Sequence, residues 1–585
     1  MKGLSLRAVL RFFLLSARSV LHRLPDSWRK RLREQHRLLE LYSRVLHLSH
    51  LFYGTLSPKK QQARYNRLLQ QQEQKLALLA ADLDEALQMN ALLVNTLGSD
   101  PSEAIQALVL NARIATVFVI DANYEANLAI YSSFEKVCVL RGQNDFTGDI
   151  PLVVLRNGEF IHELAIAAFA SELLVSPNIL TCDHDIVQRN GTRGDAKCFP
   201  SWDPDLQLAS GYIDSGFCVR EPSLQAELVS FVMPDPHPMR LALWLADLNF
   251  KTPALKVSHV AFSLLHRKVV FEESWGKYVS TFYTDMHWPV TFMENSTDGH
   301  AIVKWPMDES PLVSIIIPTR NGRELVETCI QSILSKTSYS NYEILLIDNQ
   351  SDDIESIEYF NQLAAQEAKV RLIQYPFVFN YSAINNFAVK QAHGSVLAFV
   401  NNDIEVISPD WLSNMVMHAL RDDIGCVGAK LYYPNRRIQH AGVVLGYGGG
   451  AGHAHKYFPD YHAGYLNRIA CTHSFSAVTA ACLLIQKTLF NQVNGFNEEK
   501  LAVAFNDVDL CLKVASLGHR NLYCAQAELF HYESVSRGSE NTPEKRARFE
   551  LELNYLKEQW AEFIAADPAY SPNLTLRQEN FAIKE

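Results

Sequence analysis

The sequence predicts an α/β protein built from two tandem Rossmann-like units with mostly parallel sheets, preceded by an N-terminal helical extension. Three observations carry this expectation. In the second half, the apolar runs Val313–Thr319, Glu343–Asp348 and 395–400 have the continuous character of strands buried on both faces, and stretches of helical spacing separate them. Each run stops on polar residues, as strands do where they reach the ligand-binding edge of a parallel sheet. In the first half, Thr116–Ile120, Lys136–Leu140 and Leu152–Leu155 repeat the pattern in weaker form.

The elements follow in order from residue 313. Val313-Ser-Ile-Ile-Ile-Pro-Thr319 is a strand closed by Pro318, and Arg320-Asn-Gly322 turns the chain into an amphipathic helix over Glu324 to Leu334. Glu343-Ile-Leu-Leu-Ile-Asp348 is the next strand, ending at Asp348 and Asn349 before the polar turn Ser351-Asp-Asp353. Strand, helix and parallel strand imply a right-handed crossover. Asn380 to Lys390 suits a helix, Gly394 stops it, and the following strand delivers Asn401-Asn-Asp403 to the same edge. Helix N-termini and strand C-termini converge there, which suits a nucleotide diphosphate beside a divalent cation, although a surface turn would use the same residues. No Gly-x-Gly-x-x-Gly follows Pro318, so a dinucleotide site is the poorer reading. Downstream, Asp507 and Asp509 open an apolar-faced helix reaching about Ser516, where carboxylates serve either chemistry or capping.

Residues 311 to about 576 resemble the catalytic domain of inverting, nucleotide-sugar-dependent glycosyltransferases of the GT-A type. The similar family is family 2, which includes O-antigen and other surface-polysaccharide (rhamnosyltransferase-like) enzymes. The resemblance rests on Ser314–Thr319, Ile347-Asp-Asn349, Phe379–Asn386, Asn401–Glu405, Ile438–Gly442, Phe505–Leu510 and Phe530–Ser534. It implies a UDP or dTDP sugar as donor, a glycan or lipid-linked glycan as acceptor, and Mn²⁺ or Mg²⁺ as cofactor. It further implies Asp403 and His531 as metal ligands, Asp507 as catalytic base and Asp509 as its neighbour in the site. Pro318, Thr319, Asn321, Asp348, Asn349, Asn385, Asn402 and Arg537 would meet the nucleotide; His440, Gly442, His453, Asn506 and Glu533 would meet sugar or acceptor. Amides replace acidic residues of the usual pattern at Asn401, Asn402 and Asn506.

The repeat in the first half lacks this equipment. Arg156-Asn-Gly158 stands where an acidic triplet is expected, no Asp-x-Asp pair occurs near Met239–Leu245, and Phe262–Arg267 echoes Glu528–Tyr532. The expected division is therefore a helical extension over 1–94, a degenerate, inactive GT-A-like unit over 95–300, and a catalytic unit over 301–585. A non-catalytic glycan-binding or scaffold protein with transferase-like folds is the alternative of a different class.

Composition agrees with a folded, multidomain chain. At 585 residues it exceeds one ordinary core, and 48% hydrophobic with 20% charged residues excludes a disordered protein. A net charge of −10 argues against a nucleic-acid partner. Ten scattered cysteines suit core packing in a reducing cytoplasm, and histidines 440, 453, 455, 462 and 473 lack the compact spacing of a zinc site. Residues 1–40 reverse the charge, interleaving basic residues with Leu, Phe and Trp28, as a segment lying on an anionic inner membrane face would. Residues 57–94 read as a coiled-coil-like spacer that leaves oligomeric state open.

Overall fold

A computed structural model of the protein describes residues 13, 14, 16, 56, 58–84, 86–96, 99–173, 176–252, 255–268, 274–293, 299–532 and 542–585. The basic segment at the N-terminus, with Glu533 and Arg537, therefore lies outside the described residues apart from three positions in the former.

The second domain is a mixed sheet whose strands run, edge to edge, Val370–Gln374, Tyr342–Asp348, Val313–Thr319, Val396–Val400, Cys482–Gln486, Ile424–Tyr432, Arg520–His531 and Ile404–Val406. The first four are parallel, the next two steps are antiparallel, Ile424–Tyr432 and Arg520–His531 are parallel, and the last step is antiparallel. The crossover helices Arg323–Lys336 and Tyr381–Gln391 form where the sequence places helical spacing, and a further helix, Ile354–Gln366, follows the turn at Ser351–Asp353. Both faces of the sheet are covered, and two buried clusters, one per face, account for the continuous apolar strands.

The first domain repeats this topology step for step. Its strands run Val137–Val139, Ile114–Asp121, Met89–Asn95, Leu152–Arg156, Phe217–Val219, Ile179–Val187, Val257–Arg267 and Glu159–Ile161. The sequence of parallel and antiparallel steps is the same. One central strand, Met89–Asn95, falls inside the stretch that the sequence reading gave to the helical extension; all seven residues are buried. The helix before it, Pro58–Ala81, is not a free spacer. It buries Tyr65, Leu68, Gln72 and Leu76 along one stripe. Tyr65 donates to Asp185, and Gln72 Oε1 accepts from the Ser263 amide at 3.1 Å. These contacts fix it to the first domain's sheet.

The two sheets can be superposed by register. Asn95 pairs with Asp121 as Thr319 pairs with Asp348, and Glu159 pairs with Arg267 as Ile404 pairs with His531. Arg156-Asn-Gly158 thus occupies the place of Asn401-Asn-Asp403. Even a side-chain contact is kept: Asn157 Nδ2 donates to Asn95 Oδ1 at 3.1 Å, as Asn402 Nδ2 donates to Thr319 Oγ1 at 2.9 Å. The expected echo of His531 at His266 is off by one. Arg267 holds that place, and His266 takes the opposite face, against Asp185 at 2.9 Å.

The domains meet through buried charge. Asp205 of the first accepts from Arg421 and Arg520 of the second, each at 2.6 Å. Burial alone would raise the Asp205 pKa, and the two guanidiniums outweigh it, holding the carboxyl well below its usual range. Residues 561–585 then cross back: Asn573 Nδ2 donates at 2.8 Å to Asp183 Oδ2 and to the Ala261 carbonyl, both in the first domain. All ten cysteines are free; nine are buried and Cys138 is half-buried, in keeping with core packing. Among the described residues no helix is long and apolar enough to cross a membrane.

Candidate active site

A cavity of about 320 Å³ opens at the C-terminal edge of the second domain's parallel strands. The strand Val313–Thr319 brings Pro318 and Thr319 to its wall, and the strand Val396–Val400 brings Asn401, Asn402 and Asp403. Asn349 reaches it from the second strand's end. The far side comes from His531 at the end of Arg520–His531, from His453, and from Asn506 and Asp507 at the start of the helix Asn506–Ser516. Nine of the residues expected from sequence therefore line one space.

Asp403 and His531 face each other. Asp403 is buried, its Oδ1 has no hydrogen-bond partner among the described residues, and it lies 3.2 Å from His531 Nε2. Two ligands at right angles on a cation with bonds of about 2.1 Å stand about 3 Å apart, so this pair fits two adjacent corners of a Mg²⁺-like octahedron. Gln439 Oε1 lies 3.0 Å from His531 Nδ1; accepting that ring N–H leaves the Nε2 lone pair beside Asp403 Oδ1, the form in which imidazole ligates a cation. Among the described residues no group of three or more His, Cys, Asp and Glu side chains could hold a metal, so other donors would be amide oxygens and the ligand's own oxygens.

Asp507 is half-buried in the lining of the same cavity. Its Oδ2 accepts from the Ala480 amide at 3.0 Å and its Oδ1 from the Val508 amide at 2.9 Å. Burial raises its pKa, and these backbone hydrogen bonds offset the rise only in part. The residue leading into it, Phe505, holds a left-handed backbone (φ 59°), an uncommon conformation for an aromatic residue. Glu552, from the helix Pro543–Gln559, fixes this approach by accepting from the amides of Val503 at 2.9 Å and Ala504 at 3.1 Å. Asn506 Nδ2 donates to the Val503 carbonyl at 3.1 Å.

Several expected site residues do something else. Asp509 is buried away from the cavity, bound to Lys513 Nζ at 2.7 Å and accepting from Trp560 Nε1 at 3.0 Å; helical spacing turns it from the wall that Asp507 faces. His440 is a core histidine: Nδ1 donates to the Ala429 carbonyl at 2.8 Å, Nε2 accepts from the Thr479 amide at 3.3 Å, and burial lowers its pKa to about 4. Gly442 has φ +92°, and an added Cβ would lie 1.9 Å from the Phe475 ring, so it serves packing. Asn385 is fully buried within its helix, donating to the Tyr381 carbonyl at 2.8 Å. Asp348 accepts from the Ser351 amide at 3.0 Å and does not line the cavity. Asn321 lines an adjoining wider groove and clamps the neighbouring turn, accepting from the amides of Asp352 and Asp353.

Two contributors escaped the sequence reading. Gln439 lay beside His440 in a quoted motif, and strand alternation was the signal that could have found it: only one of two neighbours faces the cavity. Glu552 lies outside every motif, and its charge in a polar helix carried no signal.

The first domain shows what replaces the site. At its equivalent place Arg156 Nη2 contacts Glu159 at 2.7 Å and Asp214 at 3.0 Å, while Arg267 contacts Glu159 at 3.1 Å and also Asp214. Two guanidiniums and two carboxylates neutralise one another where Asp403 and His531 face each other in the second domain.

Residues 314–484 match the family model "Glycosyl transferase family 2". They belong to glycosyltransferase family 2. The family 2 assignment spans the strands that carry Thr319, Asp403 and Gln439, and the GT-A arrangement continues beyond it to Asp507 and His531. The chain is 41% identical over 419 residues to "Uncharacterized protein y4gI" of Sinorhizobium fredii, covering 69% of this chain and 46% of that protein. It is 29% identical over 489 residues to "O-antigen biosynthesis protein RfbC" of Myxococcus xanthus, covering 79% and 36% respectively. The chain thus spans less than half the length of these relatives. Among solved structures, a mannosyltransferase of Pyrobaculum calidifontis in complex with GDP-Man and Mn²⁺ aligns with a TM-score of 0.34 at 15% identity, covering 45% of this chain and 70% of that one.

Proposed function

We propose that the second domain of this glycosyltransferase transfers a sugar, with inversion, from a UDP or dTDP sugar to a glycan or lipid-linked glycan acceptor in cell-surface polysaccharide synthesis. The observation that carries the reading is that Asp507 lines the same cavity as the Asp403–His531 pair. A nucleotide sugar lying over the strand ends, with its diphosphate toward Asp403 and His531, would bring its anomeric carbon within the space that Asp507 lines. Asp507, an acceptor of backbone hydrogen bonds with a raised pKa, takes the proton of the attacking hydroxyl there. One displacement inverts the anomeric centre. Mn²⁺ or Mg²⁺ bound by Asp403 and His531, with the amide oxygens of Asn401 and Asn402 within the same wall, would supply neutralisation of the departing diphosphate. Thr319 and Asn349 border the nucleotide, His453 the sugar, and Arg537 would meet a phosphate.

The printed name of the Myxococcus relative supports surface polysaccharide as the product class. The first domain is an inactive copy: its Arg156–Glu159–Asp214–Arg267 cluster leaves no unpaired carboxylate for a cation. The protein works at the cytoplasmic face of the cell membrane, held there by the basic residues 1–40. The test is a panel of nucleotide sugars offered to the purified full chain with and without Mn²⁺, read by nucleotide release and product stereochemistry. Release from none of them, or product with retained configuration, defeats the reading.

A further inference from the structure

The short strand Ile438–His440 lies beside Ile424–Tyr432, with His440 paired to Leu431. Its last two residues point to opposite sides, as strand alternation requires. Gln439 lines the cavity and meets His531, whereas His440 is fully buried and does not line it. The His440 ring instead bridges two stretches of backbone, donating from Nδ1 to the Ala429 carbonyl and accepting at Nε2 from the Thr479 amide. One neutral tautomer satisfies both bonds, and burial keeps the ring neutral. A protonated ring would set an Nε2 donor against the amide donor.

The segment that His440 holds is the one that meets Asp507. Thr479, Ala480 and Ala481 all line the cavity. The Ala480 amide, one residue beyond the amide that His440 accepts, donates to Asp507 Oδ2 at 3.0 Å. The Ala481 carbonyl accepts from the Asn401 amide at 3.0 Å, two residues before Asp403. Past His440 the chain turns at Gly442, and the Val443 amide donates to the Ala477 carbonyl at 3.0 Å, a second clasp on the same segment. A third comes from the helix that opens with Asn506 and Asp507: the Val478 amide donates to its Cys511 Sγ at 3.4 Å. Residues 477–481 are thus anchored away from the cavity while their amide at Ala480 faces the Asp507 carboxylate.

We propose that His440 is a positioning residue for Asp507: by fixing the Thr479 amide it aims the Ala480 amide at the carboxylate. This rests on the reading of Asp507 as the base. His440 touches no substrate and acts through Thr479 and Ala480. Two neighbouring side chains on one three-residue strand then key both parts of the cavity, Gln439 the cation pair through His531 and His440 the base. The strand sets where the departing diphosphate and the attacking hydroxyl stand relative to each other.

Two replacements divide the functions of the ring. In Gln, Oε1 stands near the place of Nε2 and can accept from Thr479; in Asn, Nδ2 stands near the place of Nδ1 and can donate to Ala429, while Thr479 loses its acceptor. In the full chain, His440→Asn should lower kcat roughly ten- to a hundredfold, the scale of misplacing a catalytic group by about 1 Å, with unchanged affinity for UDP or dTDP in Mn²⁺. His440→Gln should hold most of the parental rate. Amide hydrogen exchange on the unliganded protein reads the geometry itself: Thr479 and Ala480 should be protected in the parent and in the Gln variant and lose protection in the Asn variant. Equal loss of rate in both variants, a parental rate in the Asn variant, or an equal fall in rate and nucleotide affinity overturns the proposal. So does rapid exchange of the Thr479 amide in the parent, a measurement that needs no variant to fold. Should His440→Asn not fold, Thr479→Gly loosens the same link with the ring in place, and the same split of rate from affinity is required of it. A parent that turns over no nucleotide sugar defeats the transferase reading, whereas Thr479 protection lost in the Asn variant alone would leave this anchor standing.

Discussion

Replacing Asp507 with Asn separates proton transfer from binding more cleanly than any other change in the cavity. The carboxylate accepts two backbone hydrogen bonds, from Ala480 at 3.0 Å and Val508 at 2.9 Å. Asn keeps one oxygen, so one amide loses its acceptor, a cost of about 1 kcal/mol. Against this, the variant removes a carboxylate whose charged form burial disfavours. The two effects oppose each other, and stability near neutral pH should stay within about 1 kcal/mol of the parent. Turnover should fall roughly 10²- to 10⁴-fold, the range for loss of a positioned base, which is about 3–5 kcal/mol in barrier height. The pH dependence carries the sign. Because the folded pKa lies above the ordinary aspartate value of 3.8, the parent should lose activity as pH falls through that raised value. The same raised pKa means that the folded state holds the proton more tightly than the unfolded state. Parent stability therefore falls as pH rises through the window between 3.8 and the folded value, and the variant lacks that slope. Initial transfer rates across pH, with nucleotide affinity by calorimetry, measure both. A variant that transfers sugar near the parent rate, with parental nucleotide affinity, refutes Asp507 as base.

Asp403→Ala and His531→Ala should each weaken Mn²⁺-dependent nucleotide binding by tenfold or more while leaving the melting temperature of the unliganded protein nearly unchanged; calorimetry with and without Mn²⁺ checks both. Glu552→Ala should loosen the segment entering Asp507, raising hydrogen exchange at the amides of Val503 and Ala504 and lowering stability by about 2 kcal/mol, the cost of stranding amides that a buried carboxylate had satisfied. Arg267→Met removes a partner from a fully buried Glu159 and should cost about 3 kcal/mol in a denaturant titration, with no change in the second domain's nucleotide affinity.

The second domain was legible because its strands are long, continuous apolar runs that end on polar residues; the helix and strand boundaries there fall within a few residues of expectation. The first domain was less so. Met89-Asn-Ala-Leu-Leu-Val-Asn95 follows a Leu-rich helix and reads as its continuation, yet hydrogen bonding to strands on both sides makes it the centre of a sheet. The chain's local pattern cannot express that tertiary pairing. Other misses share one cause. His440 was chosen over Gln439 and Asp509 was set beside Asp507, each one or two places from the residue that faces the cavity, and the echo of His531 at His266 sits one place from Arg267, which holds the counterpart position. Orientation on a strand or helix decides among neighbours, and residue type does not.

The return of residues 561–585 across both domains bears on how the protein is made. Asp183 and the Ala261 carbonyl receive their hydrogen bonds from Asn573, some hundreds of positions downstream. At ribosomal speeds of about 5–20 residues per second, the first sheet waits on the order of a minute for that partner. Through that interval its docking face, with the carboxylates of Asp183 and Asp205, stands open to water and to other nascent chains. Asp183 and Asp205 would keep that waiting surface hydrated until residues 561–585 and the second domain cover it.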